Sequence, residues 1–394
     1  MIGTGFMGAA HSQGWRTAHR FFDLPATPVM SVLVGRNPET TLGAAQTWGW
    51  EETSTDWRAT IAREDIDIVD IVTPGDSHAE IAIAALAAGK HVLCEKPLAN
   101  TVEEAAAMAS AADAAQTRGA SSMVGFTYRR VPAATLAREL VLAGRIGEIR
   151  QVRAAYRQDW LSDPEGPMTW RLDKARAGSG ALGDIGAHAI DLAEFITGLR
   201  IGAVSGVLDT IVKERPLLAE GVGLGGTAAA DRGTVTVDDV ALFTARFEAP
   251  AGGYSPLGSF EATRFASGRK NALTIEVSGS LGAIAFDLER LNELQFHDAT
   301  LPATEQGFRT ILVTEPGHPY AAWWPAGHML GYEHGFSHQV VDLIRGIVDG
   351  APIHPSFTDG LHVQRVLDAV ERSSNEDGRF CAVDVRPDTP RHGN

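Results

Sequence analysis

The feature that most constrains this chain is Gly3-Thr4-Gly5-Phe6-Met7-Gly8, a Gly-x-Gly-x-x-Gly turn heading a regular alternation of strand-like and helix-like segments. In such a turn the first glycine permits the tight bend and the second lets a pyrophosphate approach the backbone. The third lets helix and strand pack closely. Glycine turns are common, and the position of this one at the head of an alternating pattern is what gives it weight. Helical periodicity follows over residues 9–20, then a buried strand over 29–34 and a helix over 38–48. Further strands are expected at 66–72, 92–94 and 121–125, with helices at 79–88 and 102–117. Strands alternating with helices build a doubly wound parallel sheet, so residues 1–125 read as a Rossmann dinucleotide-binding domain. Such a sheet begins with a buried strand of about five residues, yet only Met1-Ile2 precede the first glycine. That shortfall leaves open a truncated start, with a first strand or a targeting signal upstream.

From residue 126 the pattern changes. A helix over 132–143 leads into β-type segments at 149–156, 240–247, 258–264, 272–278 and 282–287. Their apolar/polar alternation suits an antiparallel sheet covered on one face. The Gly/Ala-rich stretch 219–233 reads as a long mobile loop. Residues 317–335 are rich in Gly, Pro and Trp, and helices over 336–348 and 359–373 close the chain. The fold class is therefore α/β: a Rossmann domain over 1–125, then an α+β domain over 126–394 with a large, mostly antiparallel sheet.

At 394 residues the chain is long enough for two such cores. Its net charge of -15 argues against nucleic acid and anionic membranes as partners, since both require a basic face. No apolar run is long enough to span a bilayer, and no signal peptide is visible. Two cysteines, Cys94 and Cys381, cannot make a disulfide framework and suit a reducing cytoplasm.

Three local patterns carry chemistry. Glu95-Lys96-Pro97 closes the apolar run His91 to Cys94. Lys96 thus sits at the carboxyl end of a strand, where open α/β sheets bind ligands, although an isolated Glu-Lys-Pro also reads as a solvated loop. The second strand ends Val34-Gly35-Arg36 with no carboxylate for a ribose 2′-hydroxyl. Charge logic favours NADP over NAD, with Arg36 meeting the 2′-phosphate; alternatively Arg36 stacks on adenine and tolerates both. Finally, Asp184 and His188 are one helical turn apart. Asp184, His188, Asp191 and Phe195 would form one stripe facing a cleft, and Ile185, Ala189, Leu192 and Ile196 a core stripe. A carboxylate beside an imidazole orients it as a base, but Asp184 also reads as an N-cap and His188 as a core histidine. A nearby carboxylate would raise the pKa of His188 and Lys96 would lower it, so a single ionisation near neutrality is expected. His318, His328, His334 and His338 lack the partners of a metal site. Trp323-Trp324-Pro325 reads either as a sugar-stacking surface or as a structural patch.

Taken in order, these motifs resemble the Gfo/Idh/MocA oxidoreductases, named for glucose–fructose oxidoreductase, inositol dehydrogenase and a rhizopine-catabolism protein. The match spans almost the whole chain: the glycine turn, Thr73-Pro74 with His78, Glu95-Lys96-Pro97, Gly125 to Arg129, Trp170-Arg171, Gly178, Gly180, and Gly183-Asp184-x-Gly186-x-His188-x-x-Asp191. The resemblance implies Lys96, Asp184 and His188 as catalytic residues, and often a cis peptide before Pro97. It implies cofactor contacts from Gly3, Gly5, Phe6, Met7, Gly8, Arg36, Thr73, Pro74, His78, Glu95 and Lys96. Tyr128, Gln158 and Arg171, with Asp184 and His188, would bind substrate. The implied activity is NAD(P)-dependent hydride transfer with a sugar, cyclitol or related polyol, in a homo-oligomer assembled through the open sheet. Two positions depart from the family pattern: Gly75 replaces a frequent Asn, and Gly35 the usual Asp. Gln158-Asp159-Trp160, Trp170-Arg171 and the late loops look similar to levoglucosan dehydrogenase-like pyranose dehydrogenases. Two rival activities are a non-catalytic dinucleotide sensor and a glycosidase using bound NAD transiently.

Overall fold

The computed structural model describes residues 1–222, 225–249 and 253–383. In its first half, helices α1 (Phe6–Phe21), α2 (Pro38–Trp48), α3 (Trp57–Ile61), α4 (His78–Ala87) and α5 (Val102–Gln116) alternate with short strands. These are β1 (Val32–Val34), β2 (Glu52–Ser54), β3 (Ile68–Ile71), β4 (His91–Cys94) and β5 (Ser122–Val124). β1 and β2 pair in parallel, as do β3, β4 and β5. Ile2 joins the two groups by bridging Val34 on one side and Ile71 on the other. Its amide donates to the Asp70 carbonyl at 2.7 Å, and its carbonyl accepts from Val72 at 2.9 Å. Met1-Ile2 thus hold the centre of the sheet. The strand expected over 29–34 is confined to three residues, and β2 was not foreseen: Glu52-Thr53-Ser54 lies at an exposed sheet edge and carries no apolar signal.

The second half continues with α6 (Pro132–Leu142), β6 (Ile149–Arg157), α7 (Lys174–Ala177), α8 (Ala187–Thr197) and β7 (Ile201–Asp209). Then come β8 (Glu214–Val222), β9 (Gly225–Thr234), β10 (Val240–Phe247), β11 (Leu257–Thr263), β12 (Ala272–Gly279), β13 (Gly282–Asp287), β14 (Glu293–Asp298) and β15 (Phe308–Leu312). α9 (His334–Asp349), α10 (Phe357–Asn375) and β16 (Cys381–Ala382) finish the described chain. Nine strands form one sheet in the order β15-β14-β13-β12-β6-β11-β10-β7-β16. It is mixed rather than purely antiparallel, because β6 and β11 run parallel in its middle. β10 shows the expected alternation: Ala241, Phe243, Ala245 and Phe247 are buried, while Leu242, Thr244 and Arg246 face out. α6 and α8 pack against the buried face.

The mobile loop expected over 219–233 is instead most of an antiparallel hairpin, β8 with β9, paired from Glu214↔Thr234 to Val222↔Gly225 with register shifts on either side of Leu218. Gly and Ala give little β propensity, so backbone pairing, not side-chain pattern, makes these strands; residues 223–224 lie outside the described chain. The two late helices are present but turn back onto the first half. Val340, Val341 and Ile344 of α9 pack with Trp15, Ala18 and Phe22 of the α1 region, and α10 lies against α5 and β5. This return closes one side of the cleft in which the sequence motifs meet.

Candidate active site

A cleft of about 1170 Å³ is lined from both halves of the chain. At one end lies the glycine turn. Gly3 has φ +120°, and a Cβ there would sit 2.8 Å from the Val72 carbonyl, so glycine alone fits. A Cβ on Gly8 would lie 2.7 Å from the Gly3 carbonyl, whereas one on Gly5 would meet nothing within 4 Å. The backbone at Gly5 is therefore open, and α1 begins there with no side-chain cap and no acid in its first turn. Uncapped N–H groups at the positive end of a helix form an anion site, which fits a dinucleotide pyrophosphate.

Arg36, Thr73, Pro74 and His78 line the same cleft. Arg36 has no hydrogen bond or ion pair among the described residues. A Cβ on Gly35 would lie 2.3 Å from Thr41 Oγ1, so the aspartate familiar at this position would have to displace the Thr41 hydroxyl. The Thr73 hydroxyl accepts from Ser77 Oγ at 2.7 Å. Both ring nitrogens of His78 face protein carbonyls, Pro97 at 3.0 Å and Thr73 at 2.8 Å, tying the two strand-end turns together. At Gly75 a Cβ would meet Asn100 Oδ1 at 2.4 Å. The carboxamide of Asn100 thus fills the space that a side chain at position 75 would occupy, and it also lines the cleft.

Beneath the lysine turn lies a buried charged group that no motif announced. His11 contacts Asp70 through Nδ1 and Glu95 Oε1 through Nε2, each at 3.0 Å. Trp15 Nε1 donates to Asp70 at 2.7 Å. Burial alone would push the His11 pKa down, but Asp70 and Glu95 outweigh it and lift it to about 10. The second Glu95 oxygen accepts from the Lys96 amide at 3.3 Å. Glu95 lines the cleft, yet its hydrogen bonds fix the backbone that carries Lys96.

The Lys96–Pro97 bond is cis. Lys96 Nζ donates to the main-chain carbonyl of Asp184 at 2.6 Å and lies 3.6 Å from Asp184 Oδ1. Asp184 belongs to a π turn, Leu182–Gly186, that runs into α8; such turns recur at functional sites. The wider turn breaks the regular stripe expected from i, i+4 spacing. Asp184 faces Lys96 and Arg264, while Asp191 is drawn away into a bidentate ion pair with Arg129. The expectation of two carboxylates presented with His188 is corrected accordingly. Asp238 caps the π turn, accepting from the amides of Gly180 and Leu182 at 2.7 Å each. A Cβ on Gly180 would lie 1.7 Å from the Asp238 carbonyl. Gly180→Ala should therefore cost about 2 kcal/mol or more, the scale of forced overpacking, and a thermal melt should show the fall in Tm.

His188 is buried against the rings of Tyr128 (4.4 Å between centroids), Tyr156 and Phe126, with no hydrogen bond among the described residues. Burial and, after it, Lys96 hold its pKa well below the ordinary histidine value. The ionisation expected near neutrality is thus displaced downward, because burial penalises the charged ring and Lys96 adds to it. Asp184 is pushed up by burial but pulled down further by Lys96, Arg264 and Arg171, ending below the usual carboxylate range. The site therefore holds an ionised carboxylate, an ammonium and a neutral imidazole.

Beyond His188, Tyr128 and Tyr156 share a hydrogen bond at 2.8 Å, and Tyr156 and Gln158 both donate to Asn271 Oδ1 at 2.6 and 2.8 Å. Trp160 donates to Gln158 at 2.9 Å. Arg171, its guanidinium over Trp170, and Tyr332, whose ring lies 6.5 Å from that of Tyr128, also line the cleft. Of these, Asn271, Tyr332 and Tyr156 had no motif to point to them. Trp323 instead packs between Phe21, Phe22 and His338, in the α1–α9 contact, which favours its reading as a structural residue. His338 accepts from Trp323 and faces the Arg130 carbonyl.

A doubly wound sheet with an uncapped glycine turn, opening on a lysine, a carboxylate and a neutral imidazole, defines a dinucleotide-dependent oxidoreductase. The chain belongs to the Gfo/Idh/MocA family. Residues 1–126 match the oxidoreductase family model with an NAD-binding Rossmann fold, and residues 135–285 match the GFO/IDH/MocA C-terminal domain. It is 44% identical over 380 residues to a levoglucosan dehydrogenase from Pseudarthrobacter phenanthrenivorans, covering 95% of each chain. An inositol 2-dehydrogenase from Rhizobium meliloti is 27% identical, covering 80% of each. Among solved structures, an oxidoreductase domain protein from Kribbella flavida is 60% identical with TM-score 0.91, covering 97% of this chain and 98% of that one. Levoglucosan dehydrogenase in complex with NADH and L-sorbose is 42% identical with TM-score 0.89, covering 97% of both.

Proposed function

We propose that this oxidoreductase oxidises a ring hydroxyl of a sugar, cyclitol or related polyol, with Lys96, Asp184 and His188 as its reacting residues. The observation that carries the reading is the convergence on one cleft of the Lys96 ammonium, anchored at 2.6 Å on the Asp184 carbonyl, and a neutral His188 with no hydrogen-bond partner among the described residues. When bound, the nicotinamide supplies the hydride acceptor. Lys96 holds the reacting oxygen and stabilises negative charge on it, and His188 takes the hydroxyl proton. Gln158 and Arg171 line the cleft where they can orient neighbouring hydroxyls, as the resemblance to the sugar-binding relative supports. A panel of pyranoses and cyclitols with each cofactor, followed by absorbance of the reduced nicotinamide, tests the substrate class; acceptance of none would refute it.

The same reading gives Arg36 the task of meeting the 2′-phosphate of NADP, with NAD accepted through the ribose alone. A guanidinium without an ion pair among the described residues at this end of the cleft supports it, and a charge-assisted contact of this kind contributes about 1.5–3 kcal/mol. Arg36→Ala should lower kcat/KM with NADP by about 10-fold or more and leave that with NAD within about 3-fold. Equal losses with both cofactors would make Arg36 an adenine-stacking residue. Subunits pair through the outer face of the nine-stranded sheet, where Val207, Leu242 and Leu257 are exposed; light scattering on the purified chain reads the oligomer. No helix among the described residues is long and apolar enough to cross a membrane, and Cys94 and Cys381 are both free, in keeping with a reducing cytoplasm.

A further inference from the structure

Arg264, immediately after β11, is wholly buried at 0% exposure. Its Nη2 donates to the Asp238 carbonyl at 3.0 Å. Nη1 lies 3.6 Å from Asp184 Oδ2, and neither Nη1 nor Nε has a hydrogen-bond acceptor among the described residues. The guanidinium stands 5.5 Å over the Trp160 ring. Burying a cation with two donors unanswered is costly and adds nothing that an apolar residue of similar volume would not supply. The compensation it does find is electrostatic, from the buried Asp238 carboxylate and from Asp184, the one of the two that lines the cleft. Lys96 faces Oδ1 of Asp184 and Arg264 faces Oδ2, both at 3.6 Å. Arg264 does not line the cleft and acts on it through residues that do, Asp184 by charge and Trp160 by ring contact.

We propose that Arg264 is a positioning residue that keeps Asp184 ionised and turned toward Lys96, so that the lysine is held for the reacting oxygen. The inference rests on the assignment of Lys96 and Asp184 to the reaction. Four elements bear on the Asp184 carboxylate: Lys96 from the turn after β4, Arg264 from the end of β11, Arg171 from the turn before α7, and Tyr156 from β6. The first three are cations and the fourth is a neutral phenol, pushed up by its burial. Remove the cation at 264 and the carboxylate keeps the burial that favours its protonation while losing one of the charges opposing it. Asp184 then gains a proton at higher pH, and the reaction, which needs the anion, fails earlier on the acid side.

The experiment measures kcat against pH with saturating sugar and cofactor for wild type, Arg264→Gln, Arg264→Lys, Asp184→Asn and the Arg264→Gln/Asp184→Asn double variant. Arg264→Gln should move the Asp184 ionisation of the acid side upward by about one pH unit or more while that of His188 stays, a ten-fold loss at a pH below the Asp184 step, with cofactor affinity within about 2-fold of wild type. Arg264→Lys keeps the charge and should keep that step close to wild type. In the Asp184→Asn background Arg264→Gln should add less than about 2-fold, since sites that act as one are not additive. A folded Arg264→Gln with an unshifted Asp184 step, or a full additional loss on top of Asp184→Asn, would overturn the proposal. If Arg264→Gln does not fold, Arg264→Lys decides: a step displaced by a whole unit with the charge retained would contradict it, and an unmoved step would support it. Asp184→Asn with wild-type activity would instead refute the underlying assignment, so the two failures are distinguishable.

Discussion

Lys96→Ala should lower kcat by about 10²-fold or more while leaving cofactor affinity within about 3-fold. The ammonium is fixed from below, by the Glu95–His11–Asp70 group that holds its backbone, and from the side, by the Asp184 carbonyl at 2.6 Å. None of those partners belongs to the glycine turn, so cofactor binding keeps its anion site when the lysine goes. The ammonium is needed most where charge develops on the reacting oxygen, which is why the loss should fall on kcat rather than on KM. The cleft at the lysine also loses a cation that lowers the His188 pKa, so the remaining activity should carry an acid limb nearer to neutral pH. Near-normal kcat in the variant, with cofactor bound, would remove Lys96 from the chemistry.

The second large effect concerns His188. For oxidation it must be neutral, and burial together with Lys96 sets its pKa well below the ordinary value. Activity should therefore rise with pH through an ionisation well below 6.5 and be level across the neutral range. His188→Ala should abolish most of the rate, on the order of 10²- to 10⁴-fold, and should remove the His188 ionisation from the acid side, leaving that of Asp184. His188→Asn should recover little, because an amide can hold a hydroxyl but cannot accept its proton. Glycine-turn binding of cofactor should be unaffected in both, as equilibrium titration of nucleotide fluorescence will read. A pH profile unchanged in His188→Ala would move the base elsewhere, with Lys96 the first candidate.

Much of this site could be read from the sequence because its parts are local. A strand-end lysine, a glycine turn and an Asp-x-x-x-His each fit within a few consecutive residues, and the alternation of the first half places two of them at strand ends. The groups that tune them were hidden for the opposite reason. Arg264 and Asn271 lie at the two ends of the connection between β11 and β12 and meet the site only after folding, so no spacing betrays them. His11 looks like one more residue of an amphipathic helix until Asp70 and Glu95 are brought to it across the parallel sheet. The π turn at Leu182–Gly186 defeats helical spacing by a single widened turn, enough to send Asp191 to Arg129 and Asp184 to Arg264. The β8–β9 hairpin escaped notice because Gly and Ala give no alternation to read, and backbone pairing needs none.

The most direct test of hydride transfer uses a sugar from the accepted class that carries deuterium on its ring carbinol carbons. The purified chain is incubated with it and with NAD or NADP, and the cofactor is recovered for mass spectrometry. Transfer from carbon to nicotinamide predicts one deuterium in the reduced cofactor for each keto sugar formed, and loss of that signal in Lys96→Ala. Cofactor that binds but stays oxidised with every sugar would fit a dinucleotide sensor. Sugar cleaved with no net reduced cofactor released would fit a glycosidase that uses NAD transiently. Either result would contradict the dehydrogenase reading.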